Sequence, residues 1–193
     1  TSSTTTSSTT TSSTTTSSTT TSSTTTSSTT TPAPSANAIT FQAYQVNDPS
    51  VYEQIVLNNN NAISFLSWGD GYSQNGGSSS YSYNYSGNTL PNSFDGYVNP
   101  NGSNLTSIYF YGNYNSLNIS SCNTITDFRL QNSINGSISN INFTSNTSLK
   151  SIYVFSPIVG FDLSGLSNLS YVNVSPSVNN YINSINFTGC TSL

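Results

Sequence analysis

The sequence predicts an all-β protein, in which a short leucine-rich-repeat-like β-solenoid is preceded by a small β-sandwich-like domain and an extended Thr/Ser stalk. Three observations predict it. The first 31 residues are only Thr and Ser. The stretch that follows, to Ser103, alternates β-branched and aromatic runs with Asn, Gly and Pro. From Asn104 two short apolar motifs then alternate four times. The expected boundaries are 1–36 for the stalk with its Pro hinge, 37–103 for the β-domain and 104–193 for the repeats.

The stalk repeats TSSTT six times, adds one Thr, and meets Pro32-Ala33-Pro34. It has no large apolar side chain to offset roughly 1–2 kcal/mol of backbone entropy per residue, so it encodes no fold of its own. An odd period also swaps the strand face at every repeat, so neither face becomes a core side. Ser/Thr tracts flanked by Pro are typical of O-glycosylated stalks. Thr4, Thr5, Thr6, Ser7, Ser8, Thr9, Thr10 and Thr11 are therefore candidate acceptors, and covalent glycans are the expected attachment.

Strands are expected at residues 39–46, 52–57 and 62–68, where β-prone runs are separated by Asn- and Pro-containing punctuation. Trp68, Gly69, Asp70 and Gly71 then read as a structural turn. An aromatic enters the core, two glycines are free to take positive φ, and an Asp side chain can bond nearby amides. A strand ending in this tetrapeptide, followed by aromatic-rich Tyr81, Tyr83 and Tyr85 and then Gly87, resembles the polycystic-kidney-disease type of β-sandwich found in bacterial surface proteins. Tyr stands where the second element of that family usually begins with His.

The repeats are the most regular part of the chain. Their shared Leu/Ile falls at 105, 125, 149, 169 and 193, giving spacings of 20, 24, 20 and 24. This lies in the range of leucine-rich repeats. One motif runs from Leu105 through Ile108 and Phe110, and recurs at Ile125, Leu149 and Leu169. The other runs from Leu117 through Ile119 and Cys122, and recurs at Ile141, Phe161 and Ile185. Each offers a short strand that cannot bury its apolar face until neighbouring coils stack. The pattern resembles bacterial and phage-associated surface leucine-rich-repeat proteins. The chain reaches Leu193 at the first apolar position of another coil, so either a continuation or a covering subunit is expected.

Cys122, Asn146, Leu166 and Cys190 share one repeat position, which predicts an inward ladder with two free, buried thiols rather than a disulfide. Asn118, Asn142 and Asn186 lie in N-x-S/T sequons and point outward between two inward residues, which makes them candidate N-glycosylation sites. Tyr109, Tyr111, Tyr114, Tyr153, Tyr171 and Tyr181 are expected on the surface, where Tyr suits protein or carbohydrate recognition.

Composition narrows the function. Charged residues are 4% of the chain, against about 25% in an ordinary soluble domain. Arg129 and Lys150 are the only cations and the net charge is −4, so there is no basic patch and nucleic acid is not an expected partner. His is absent, and the carboxylates Asp48, Glu53, Asp70, Asp95, Asp127 and Asp162 are widely spread. Neither an enzyme, a cofactor nor a metal site is expected on that basis. No apolar run of about 20 residues is present to span a bilayer. The expected role is a structural subunit of an extracellular filament or surface appendage, self-associating and O-glycosylated. The alternative is an adhesin or phage tail-fibre-like receptor-binding protein with a carbohydrate or protein ligand. Either would work outside the cell, or on a cell or virion surface.

Overall fold

The computed structural model describes residues 31–44, 52–85, 93–132, 138–175, 182 and 184–193, of which Thr31–Leu193 is one compact unit. The candidate O-glycosylation residues Thr4 to Thr11 and the surface candidate Tyr181 lie outside the described residues. Among those described there is no helix. The strands are β1 (Ile39–Tyr44), β2 (Glu53–Leu57), β3 (Ile63–Ser67), β4 (Ser73–Asn75), β5 (Ser80–Tyr83), β6 (Ser93–Pro100) and β7 (Ser107–Gly112). They continue with β8 (Tyr114–Asn118), β9 (Asp127–Asn132), β10 (Asn140–Asn142), β11 (Ser151–Val154), β12 (Gly160–Asp162), β13 (Tyr171–Val174) and β14 (Ser184–Asn186).

The repeats form a β-solenoid of about three turns. Their first motif supplies β7, β9, β11 and β13, paired in parallel so that Ile108, Phe128, Ile152 and Val172 share one row, and Phe110, Leu130, Val154 and Val174 the next. The second motif supplies β8 and β10, which pair through Leu117 and Ile141, and β12 and β14, which pair through Phe161 and Ile185. These rows are the reason for the fold: a single short strand hides almost nothing, whereas stacked ones make a continuous apolar ladder.

The first coil is not left open. β1 runs antiparallel to β8, and β2 runs antiparallel to β7, so each leading strand edge is covered by a strand from the earlier part of the chain. The result is two six-stranded sheets, ordered β10-β8-β1-β6-β3-β4 and β13-β11-β9-β7-β2-β5. Between these sheets and the separate β12–β14 pair runs an aromatic chain from Trp68 through Phe41, Phe110, Phe128 and Phe143 to Phe161, with neighbouring ring centroids 5.1–6.2 Å apart.

Two side chains differ from their expected places. Tyr114 is not on the surface: it is fully buried between Phe41 and Phe110, with centroids 5.6 and 5.2 Å away. It sits where β8 passes under β1, so a position that reads as outward in an isolated coil becomes core once the covering strand is added. Cys122 is a buried free thiol, but Cys190, also free, is only half-buried. Its Sγ donates to Leu163 O at 3.0 Å. Asn146, at the same repeat position, donates through Nδ2 to Ile119 O at 2.7 Å and Cys122 O at 2.9 Å. At Asn146 and Cys190 this repeat position thus bonds a coil to the one before it, whereas Leu166 fills the position by apolar packing.

Candidate functional site

Strand alternation decides what the second sheet shows to solvent. Ile55, Ile108, Phe110, Phe128, Leu130, Ile152 and Val154 face inward, so the residues between them face out. In register across β2, β7, β9, β11 and β13 this gives the row Val56, Tyr109, Arg129, Tyr153 and Asn173. Beside it run Gln54, Tyr111 and Gln131.

The rings in this region touch one another. Tyr52, 41% exposed, lies with its centroid 5.8 Å from that of Tyr111, and Tyr111 lies 6.4 Å from Tyr109. The Tyr109 hydroxyl donates to Gln131 Oε1 at 2.8 Å, and its phenol is pushed up in pKa, chiefly by burial. On the other side Tyr153 lies 5.1 Å from Tyr171, which is 46% exposed. Between the two groups the Arg129 guanidinium lies over the Tyr153 ring, its Cζ 4.6 Å from the centroid. The strand steps from β7 to β13 carry the face across about 14 Å at about 4.8 Å each. The arrangement can stack flat ligand faces on the rings and bond a polar group at the centre.

Beneath one end of this face is a buried acid. Glu53, 2% exposed, sits next to Tyr52 in the chain, and burial pushes its carboxyl up to about 7 despite hydrogen bonds from Asn113 and the backbone. A Cβ at Gly112, whose φ is 140°, would lie 2.9 Å from Glu53 Cα, so the close strand approach needs glycine there. Burial also holds the Tyr85 and Tyr114 phenols above their ordinary range, with the Glu53 charge adding to both.

The first sheet presents a different surface, an amide-lined groove. One cavity of about 180 Å³ is bordered by Gln42, Asp95, Ser116 and Asn140; a second of about 360 Å³ continues past Asn142 toward Asp162. Gln42 is bonded at both ends of its amide. Gln42 Nε2 donates to Asp95 Oδ1 at 3.0 Å, and Asn115 Nδ2 donates to Gln42 Oε1 at 2.5 Å.

The sequon asparagines belong to this side of the molecule. Asn118 and Asn186 are exposed and Asn142 is half-buried. Each Oδ1 accepts the amide two residues on: Ser120 at 3.1 Å, Thr144 at 3.0 Å and Thr188 at 3.0 Å. Asp162 accepts from Ser164 in the same way at 3.0 Å, and that bond chiefly holds its carboxyl below the usual range. The structure places Asn118 beside Asn142, and Asp162 beside Asn186. One side-chain turn thus repeats in all four coils.

No family model matches this chain, and no curated protein or solved structure matches it. Geometry alone therefore describes the turn at Trp68, Gly69, Asp70 and Gly71. Trp68 is buried and its Nε1 donates to Gln74 Oε1 at 2.9 Å, while its carbonyl accepts the Tyr85 hydroxyl at 2.5 Å. Gly69 has φ of 92°, and a Cβ there would lie 2.4 Å from the Asp95 carbonyl oxygen. Asp70 accepts the Tyr72 amide at 3.0 Å and the Tyr83 hydroxyl at 2.5 Å. The turn is thereby tied into the aromatic packing of Trp68, Tyr72 and Tyr83.

Sequence reasoning found Tyr109, Tyr111, Tyr153 and Tyr171 but missed Tyr52 and Arg129 as part of the same face. The signal for Arg129 was present. It occupies the middle position of Phe128-Arg129-Leu130, equivalent to Tyr109 between Ile108 and Phe110 and to Tyr153 between Ile152 and Val154. Tyr52 had no such signal, because its neighbour Tyr111 is reached only through the long-range pairing of β2 with β7.

Proposed function

We propose that this protein is an extracellular recognition module that holds an extended carbohydrate across the aromatic face of its second sheet, in an adhesive role. The observation that carries the proposal is the outward set Tyr52, Tyr111, Tyr109, Arg129, Tyr153 and Tyr171. Rings fixed on strands offer apolar contact area at little entropic cost, and their hydroxyls add hydrogen bonds. The Thr/Ser tract supports the reading as a glycosylated spacer that holds the module away from its anchor. The resemblances to polycystic-kidney-disease-type domains and surface leucine-rich-repeat proteins point the same way.

Affinity electrophoresis through gels containing a panel of neutral and acidic polysaccharides tests the reading. Retardation by at least one polymer is expected, and Tyr153→Ala or Tyr171→Ala should abolish it. Unretarded migration through the whole panel, or retardation that both variants keep, would overturn it.

Composition favours a second reading, a structural subunit of an extracellular filament. A chain in which only 4% of residues are charged resists self-association only weakly. Sedimentation of the full chain across a wide concentration range decides this one: growing assemblies support it, and a persistent monomer removes it.

A further inference from the structure

We infer that the ligand of the aromatic face is an acidic glycan, one bearing carboxylates such as those of uronic acids, with Arg129 as the residue that selects it. The inference rests on the recognition reading above and names its ligand class. Arg129 lies at the middle of the outward row, with Tyr109 on one neighbouring strand and Tyr153 on the other. Its guanidinium lies over the Tyr153 ring, and no hydrogen bond or ion pair engages its N–H donors among the described residues. The acid nearest along the same strand face, Asp127, accepts instead from the hydroxyls of Thr126, at 2.8 Å, and Ser151.

A guanidinium presents a planar fork that matches a carboxylate in two parallel bonds, and stacking on a ring holds that fork ready. Only two cations occur in the whole chain, and one of them stands at the centre of its aromatic face. A single fork suits a singly charged planar carboxylate. Densely sulfated or phosphorylated polymers bind through many cations at once, which this surface lacks. With a carboxylate on Arg129, the sugar rings on either side of it would lie against Tyr109 and Tyr111 in one direction and over the exposed Tyr171 in the other, while Tyr153, held between Arg129 and Tyr171, braces the guanidinium.

The test uses the full chain and three probes, polygalacturonate, alginate and hyaluronan oligomers, each compared with its carboxyl-reduced counterpart by calorimetry. At least one acidic oligomer should bind about tenfold or more tighter than its reduced form, the change expected for losing a charge-assisted hydrogen bond. Arg129→Gln should bring the acidic form down to the level of the reduced one, and Arg129→Lys should keep part of the difference. Equal binding of acidic and reduced forms, with Tyr153→Ala weakening both, overturns the acidic-ligand inference and leaves the recognition reading standing. Binding by none of the acidic oligomers also overturns it; the neutral polysaccharides then decide whether the recognition reading falls too.

Discussion

The two outward faces of this molecule are built from similar short strands but differ in what they leave open to solvent. On the first sheet and the adjoining β12–β14 pair, Gln42 bonds both Asp95 and Asn115, and Asn118, Asn142, Asp162 and Asn186 each bond the backbone two residues on. On the second, Arg129 stands over Tyr153 with its donors unengaged, and Tyr52 and Tyr171 turn rings into water. Groups satisfied within the chain hold the coils together, whereas groups left open are available to a ligand. Stability should therefore depend on the amide side and binding on the aromatic side.

The largest effect expected from this contrast is at Asn146. Its side chain donates to two carbonyls of the preceding coil, Ile119 and Cys122, from a fully buried position. Asn146→Ala removes both bonds and opens a small void, leaving Ile119 O with the Cys122 amide at 3.0 Å and Cys122 O with only the Ile125 amide at 3.5 Å, a loss of about 2–4 kcal/mol. Asn146→Cys should recover part of it, because Cys190 bonds Leu163 from the equivalent position. Urea denaturation reads both changes. An Ala variant as stable as the parent would mean that the coils do not rely on this ladder.

The pH dependence comes from the opposite side, under Tyr52. Glu53 has a folded pKa of about 7 against an ordinary value of 4.5, so the fold favours its protonated form. The contribution is complete below pH 4.5 and is lost as pH rises through about 7, a fall of about 3 kcal/mol across that window. Denaturation midpoints measured from pH 4 to pH 8 should decline accordingly, and Glu53→Gln should flatten the curve. A parent profile that stays level or rises would show that the carboxyl is not confined as described.

Most of the solenoid was legible in the sequence, because each motif lies within a few residues and repeats. Ile108, Phe128, Ile152 and Val172 announce one row through spacing alone. What spacing could not show was where the first coil meets the rest of the chain. β6 was missed, since Asp95, Gly96, Asn99 and Pro100 are poor strand formers. It forms because Phe94 and Val98 are buried between β1 and β3, and because Phe41 fills the space a side chain at Gly96 would need. The burial of Tyr114 and the pairing of Tyr52 with Tyr111 have the same origin, antiparallel contacts between segments distant in sequence. The aromatic face was thus half visible: its rings could be read from the repeats, but their grouping required the fold.

A smaller effect tests how faithfully the amide-side turn repeats. Gly165 and Gly189 take φ of 78° and 83°, and Ser145 holds the equivalent position at 70°. A residue with a Cβ is disfavoured in this region by roughly 1–2 kcal/mol, although glycine gives some of that back in unfolded-state entropy. Ser145→Gly should therefore stabilise the protein by about 1 kcal/mol in thermal or chemical denaturation. A loss of stability instead would mean that the Ser145 side chain contributes more than its backbone strain costs.

The smallest stability change should come where the binding change is greatest. Arg129 is exposed and its side chain lies over the Tyr153 ring, a contact worth about 0.5–1 kcal/mol at such a site, while its charge also acts weakly on the Tyr109 phenol. Arg129→Gln should therefore shift the unfolding free energy by less than about 1 kcal/mol. Gln42→Ala on the opposite face removes a group that both donates to Asp95 and accepts from Asn115, so it should cost at least as much stability while leaving glycan binding unchanged. If Arg129→Gln proved the more destabilising of the two, the guanidinium would be serving the fold rather than a ligand, and the division of labour between the faces would have to be redrawn.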